Sequence, residues 1–165
     1  MIVVGIVVAA FVSMEGVSYG THRWLMHGPG LRWHRSHHRA PTGRFERNDL
    51  FPLCFSVIGF ALFAGGAWWP RLDEMTWTGV GVTLYGVAYL MVHEVVIHQR
   101  IAIPLPRWRY VRWVRDRHRL HHLYGGEPYG MLLPVIPREL RNRHGGLSPG
   151  EPLDRSNSRA IRNRL

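Results

Sequence analysis

Ten of the eleven histidines in this 165-residue chain fall into four short boxes. These are His22-x4-His27, His34-x2-His37-His38, His93-x4-His98 and His118-x2-His121-His122, so the order x4 then x2-HH occurs twice. Neutral imidazole is the commonest protein metal ligand and suits iron, zinc, copper and nickel. Ten candidates exceed one coordination sphere, so the pattern points to two metal ions. In HxxHH the first His is three and four residues from the others, which places all three rings on one face of a helix. HxxxxH differs: five residues carry an α-helix about 140° past a full turn. Those pairs converge only across a helix end, a distortion or a cavity. His144 lies outside the boxes and is not expected to bind metal.

Three carboxylates are candidates for orienting these rings by accepting an imidazole N–H: Glu15, Glu94 and Asp116. No separate catalytic group is expected. Glu94 follows His93 in a stretch one residue longer than the HExxH of zinc hydrolases, where Glu serves as base between His residues on one face. The extra residue spoils that face, so Glu94 reads better as an acceptor for a ligand imidazole. Glu15 lies seven residues before His22 inside an apolar segment, where a carboxylate is functional by default. Asn48-Asp49 lies near the boxes and is equally well explained as an N-cap for the helix that follows. A bis-His haem protein would leave the two HxxHH boxes unexplained.

The elements that must position the boxes are apolar and long. Residues 2–20, 50–69 and 77–97 each run to about 20 residues, the length a helix needs to cross a bilayer. The second carries no charge and no polar stripe, which argues against a soluble bundle. The expected fold is therefore an all-α integral membrane protein with three transmembrane helices, or four if 128–137 enters the membrane, and a helical His-box metal site on its cytoplasmic face. The first segment reads as a retained anchor, since it lacks the basic start of a signal peptide.

Charge sets the orientation. The formal net charge is +10, all 21 basic residues are Arg, and the single Cys54 leaves no disulfide framework or iron–sulfur cluster. Residues 21–49 carry six Arg against two acids, and residues 98–165 carry fourteen against five. The positive-inside rule places both segments, with every His box, in the cytoplasm and the N-terminus outside. The basic charge is thus a topology signal, and no nucleic-acid partner is expected. Residues 107–119 mix Arg with Trp and Tyr as an interfacial helix does. Residues 101–106 and 128–137 are apolar but too short to span. Residues 1–143 form the membrane domain, and 144–165 read as a mobile basic tail.

The four ordered boxes resemble the membrane-bound non-haem di-iron fatty acid hydroxylase superfamily, and within it the bacterial β-carotene hydroxylases. The residues carrying the resemblance are Thr21-His22-Arg23-Trp24-Leu25-Met26-His27-Gly28, Trp33-His34-Arg35-Ser36-His37-His38, Phe45-Glu46-Arg47-Asn48-Asp49-Leu50-Phe51, Val96-Ile97-His98-Gln99-Arg100 and His118-Arg119-Leu120-His121-His122. It covers roughly residues 10–125 and thins after His122. The resemblance implies two iron ions held by the ten boxed histidines, with O2 as co-substrate. It implies hydroxylation of a carotenoid β-ionone ring at C3 in a bacterial inner membrane, with electrons from a ferredoxin-like donor. Another membrane lipid, fatty acyl or sterol-like, is the related alternative substrate, open to hydroxylation or desaturation. A zinc hydrolase or a metal- or haem-binding membrane protein is the alternative outside the oxygenases.

Overall fold

Long uncharged runs of Val, Ile, Leu, Phe and Gly bury no polar face, so their helices are built to face lipid and one another. The computed structural model describes residues 1–39, 43, 45–106 and 108–135, and the expected tail lies outside the described residues. Those residues form helices and turns with no strand. Helix α1 (Ile2–Gly20) passes without a break into a π-helical turn, Thr21–Met26. The short α2 (Leu31–His34) follows, then a 3-10 turn (Arg47–Asp49) leading into α3 (Leu50–Trp68). A second 3-10 turn (Pro70–Leu72) reverses the chain into α4 (Asp73–Leu90), which continues as a second π-helical turn, Met91–Ile97. Helix α5 (Arg109–Tyr124) closes the order.

Among the described residues, three stretches are long and apolar enough to cross a membrane: Ile2–Met26, Arg47–Trp68 and Pro70–Ile97. The third starts earlier than the sequence suggested, because Pro70 opens the turn and Asp73 and Glu74 enter the first turn of α4. Acids there complement the helix dipole. The chain is a multi-pass membrane protein. Helix α4 packs against both α1 and α3, while the backbones of α1 and α3 stay apart. Two glycines make the close packing possible. A Cβ on Gly81 would meet the Val7 carbonyl and the Ala10 side chain of α1 at 2.6 Å, and one on Gly79 would meet the backbone of Phe63 on α3 at 2.7 Å. Small residues serve this purpose where lipid removes the hydrophobic drive to associate.

The connectivity puts both π turns, α2, the start of α3 and α5 at one end of the bundle. Helix α5 packs on the second π turn and buries Val111, Val114, Arg117, His118, Leu120 and His121. The surface helix expected over 107–119 is thus amphipathic, but its inner face covers histidines rather than lipid. Residues after it turn back into the bundle. Met131 joins a small core with Met14, Tyr85 and Tyr89. Glu15 fastens this re-entrant segment: its carboxylate accepts the backbone N–H groups of Met131, Leu132 and Leu133 and the hydroxyl of Tyr85.

Candidate metal centre

Each HxxxxH box is one π turn. The His27 N–H donates to the His22 carbonyl at 3.1 Å, and the His98 N–H donates to the His93 carbonyl at 3.0 Å. An i→i+5 bond closes a wider turn than the α-helix, which removes the angular mismatch that five residues create in an α-helix. The two rings of a box then face one site: His22 and His27 lie 5.2 Å apart by ring centroid, and His93 and His98 lie 4.6 Å apart.

The boxes assemble two tetrads. His22, His27, His34 and His121 bring one nitrogen each within 4.8 Å of one another, and so do His37, His93, His98 and His118. The sharing is reciprocal. Each π turn gives both its histidines to one tetrad, whereas each HxxHH box divides its first two between the tetrads. His34 and His121 complete the first; His118 and His37 complete the second. The third histidines, His38 and His122, stack between them with centroids 4.3 Å apart. His38 Nε2 lies 3.0 Å from His34 Nε2, and His122 Nε2 lies 2.8 Å from His118 Nε2. The expectation that all three rings of a box share one helix face is corrected for the second box, whereas the fourth lies wholly within the continuous α5. The second box starts at the end of the four-residue α2 and continues through turns, so His34 and His37 point to different tetrads.

The outer nitrogens are held by oxygen. His22 Nδ1–H donates to the Tyr129 carbonyl at 3.0 Å, and His121 Nδ1–H donates to the Gly126 carbonyl at 2.6 Å. His34 Nδ1–H donates to Asn48 Oδ1 at 2.8 Å, and His93 Nδ1–H to Glu94 at 2.6 Å. Carbonyl acceptors require the proton on Nδ1, so each Nε2 presents a bare lone pair. Yet His22 Nε2 and His34 Nε2 face each other at 3.2 Å. Two lone pairs that close repel unless a cation lies on both. In the second tetrad the buried Nε2 atoms of His37 and His93 have no hydrogen-bond partner. Oriented, neutral, nitrogen-only ligand sets of this kind fit two metal ions.

Electrostatics agree. Burial holds the rings neutral, pushing His34, His98 and His121 down to about 3, His38 to about 4 and His122 to about 2. His37 and His118 are driven lower still by burial and by repulsion among the rings. Neutral imidazole is the ligand form.

The three expected orienting carboxylates separate. Glu94 bonds His93. Its other oxygen pairs with Arg100 Nε at 2.8 Å. Glu15 acts one layer further out, holding the segment that carries the Tyr129 carbonyl. Asp116 sits among Arg112, Arg115 and Arg119, its carboxyl pushed up by burial against their opposing charge. Asn48 does not cap α3: it serves His34, while Asp49 accepts the Glu46 N–H in a capping box at the 3-10 turn. Arg100, two residues after His98, ion-pairs with Glu46 at 3.2 Å, Asp49 at 3.0 Å and Glu94 at 2.8 Å. Glu46 in turn lies 3.4 Å from His37 Nδ1. The Glu46-Arg47-Asn48-Asp49 stretch and Arg100 were signals of this support, but nothing local tied them to a histidine. Tyr129 and Gly126 contribute main-chain oxygens, which sequence patterns do not mark.

Two cavities reach the centre from different sides. One of about 520 Å³ lies between α1, α3 and α4, is lined by apolar groups such as Met14, Phe55 and Tyr89, and meets the boxed residues at His22. The other, about 370 Å³, is polar and ends on His98, His118 and His122.

A model of the fatty acid hydroxylase family matches residues 7–140, further along the chain than the motifs alone reached. Among curated proteins, a β-carotene hydroxylase of Pseudescherichia vulneris is 40% identical over 151 residues, covering 85% of this chain and 84% of the relative. One from Paracoccus sp. (strain PC1) is 42% identical over 127 residues, 75% of this chain and 76% of the relative. The chloroplastic β-carotene 3-hydroxylase 1 of Arabidopsis thaliana is 34% identical over 160 residues, 94% of this chain and 50% of the relative. No solved structure matches the chain.

Proposed function

This chain belongs to the fatty acid hydroxylase family, and from that premise we propose that it hydroxylates the β-ionone ring of a carotenoid at C3, using O2 at two His-held iron ions. It is a hydroxylating oxygenase. The observation that carries the substrate reading is the apolar cavity between three membrane helices that ends on a ligand of the first tetrad, His22. Its lining runs along α3 from Phe51 to Phe63, about 18 Å at the helical rise. That depth suits a ring and part of its polyene chain entering from lipid.

His22, His27, His34 and His121 would hold one iron, and His37, His93, His98 and His118 the other, with His38 and His122 between them. When bound, the pair supplies the O2 activation and C–H cleavage that no protein side chain provides. The protein's part is positional. Tyr129, Gly126, Asn48 and Glu94 fix the tautomers; Arg100 neutralises the carboxylates beside the second tetrad; Met14, Phe55 and Tyr89 exclude water from the substrate side. With the Arg-rich segments inside, the iron pair lies on the cytoplasmic face of the inner membrane and the N-terminus outside. There an apolar substrate arrives from lipid while electrons arrive from water. A ferredoxin-like carrier is the donor this placement suits.

The test is expression of the full chain in bacteria that accumulate β-carotene, followed by pigment and metal analysis of the membranes. Hydroxylated carotenoid with iron in the purified protein is the expected result. Iron-loaded protein with β-carotene unchanged would contradict the substrate.

A further inference from the structure

The polar cavity has a charged rim that the chemistry so far has not used. Arg112, Arg115 and Arg119 recur at i, i+3 and i+7 on one face of α5, with Arg112 and Arg119 exposed. A helix places such residues in one row. The carboxylate among them is Asp116, so three guanidinium groups face one acid. Two other arginines beside the centre are neutralised: Arg23 pairs with Glu127 at 2.8 Å, and Arg100 with three carboxylates. The floor of the cavity is His98, His118 and His122, all at the second tetrad. The apolar cavity opens instead on His22, so the two approaches are separate.

We propose that the Arg112–Arg115–Arg119 face of α5 is the docking surface for an acidic one-electron carrier protein, which delivers electrons to the second tetrad through the polar cavity. The proposal rests on the oxygenase reading above. Hydroxylation of a C–H bond by O2 takes two electrons and two protons; one oxygen atom enters the product and the other leaves as water. The single Cys54 means these 165 residues hold no cysteine-ligated iron–sulfur cluster of their own. A carrier of single electrons would supply them in two encounters per turnover, and a basic row over imidazoles steers and orients an acidic protein. An anionic lipid headgroup would meet the same guanidinium groups. It would gain nothing from the imidazole floor, whereas an electron carrier needs that short path.

The experiment measures binding of oxidised plant-type [2Fe–2S] ferredoxin to the full chain in nanodiscs of zwitterionic lipid. It compares the unaltered chain with Arg112→Glu/Arg115→Glu/Arg119→Glu and with Arg71→Glu at the opposite end of the bundle. The triple reversal is expected to weaken binding by about tenfold or more and to flatten its salt dependence, with Arg71→Glu unchanged. The milder triple Arg→Gln variant, checked for unaltered helicity and metal content, should fall between. Equal binding by the well-folded triple variants would overturn the proposal. So would a triple reversal that loses affinity for anionic vesicles but keeps ferredoxin binding, which would assign the face to lipid. Ferredoxin bound through this face by a chain that forms no hydroxylated carotenoid would contradict the substrate reading and leave the docking surface standing.

Discussion

The backbone N–H of His27 donates to the carbonyl oxygen of His22 at 3.1 Å, and this one bond explains why the two residues are five apart. The same bond joins His98 to His93. Box spacing and backbone geometry are thus the same fact: a π turn presents both imidazoles to one tetrad. Inserting one Ala after Val95 would set the two histidines six positions apart, a spacing that neither an α turn nor a π turn closes, and swing His98 out of register with His93. Metal content of the purified protein, read by mass spectrometry, is expected to fall from about two ions per chain to about one, since imidazole ligation needs fixed geometry. Two ions retained would contradict the role assigned to the turn.

Arg100 joins Glu46, Asp49 and Glu94, and two of these carboxylates face histidines of the second tetrad. Arg100→Gln leaves those carboxylates without their cation and loosens the orientation of His37 and His93. Metal affinity at the second site should drop by about tenfold to a hundredfold, the usual effect of losing an outer partner. Arg100→Lys should restore only part of it, because one ammonium cannot reproduce the three-way fork. Competition with a chelator of known affinity measures both variants.

Glu15 accepts three backbone N–H groups and the Tyr85 hydroxyl, so its replacement leaves part-buried donors unserved. Glu15→Gln offers one oxygen and a donor in place of the second acceptor. We expect a loss of about 1–3 kcal/mol in stability, with the segment carrying Met131 and Tyr129 becoming protease-sensitive first. Unchanged melting in detergent and unchanged proteolysis would show that the re-entrant segment is held by other contacts.

Acid should dismantle the centre. Burial depresses the folded-state pKa of His34, His98 and His121 to about 3 and that of His38 to about 4, below the ordinary value of 6.5. Between those values the unfolded chain binds more protons than the folded one, so stability rises with pH there and falls as pH drops below about 6.5. Above that pH both states are neutral and these groups contribute no slope. Thermal melting of the metal-free protein across pH 4 to 8, as an order-of-magnitude window, should show a flat upper arm and a steep acid arm. A melting temperature that rises on acidification would contradict neutral burial of the rings.

What could be read in advance follows from which interactions are local. The three spans follow from runs of apolar residues, and the one-sidedness of the boxes follows from where the arginines fall; both are properties of consecutive residues. The repeated order of x4 and x2-HH signalled a two-part site. The exchange between halves was not legible, since His34 and His37 part company through turns after α2, and turns carry no hydrophobic period. The partners of the rings were hidden for a related reason. Asn48, Glu46 and Arg100 meet the histidines through tertiary contacts, and Tyr129 and Gly126 do so through carbonyl oxygens common to every residue. Glu15 was visible as an odd carboxylate in an apolar helix, but its obligation to residues 131–133, more than a hundred positions away, was not.

The central claim is that this chain transfers an oxygen atom from O2 to a carotenoid ring. The most direct measurement reconstitutes the iron-loaded full chain with β-carotene and reduced ferredoxin under ¹⁸O2, then analyses the product by mass spectrometry. One ¹⁸O per hydroxyl formed, located on the β-ionone ring, is the expected result. Hydroxyl oxygen drawn from H2¹⁸O instead, or no hydroxylated product from iron-loaded and reduced protein, would contradict it.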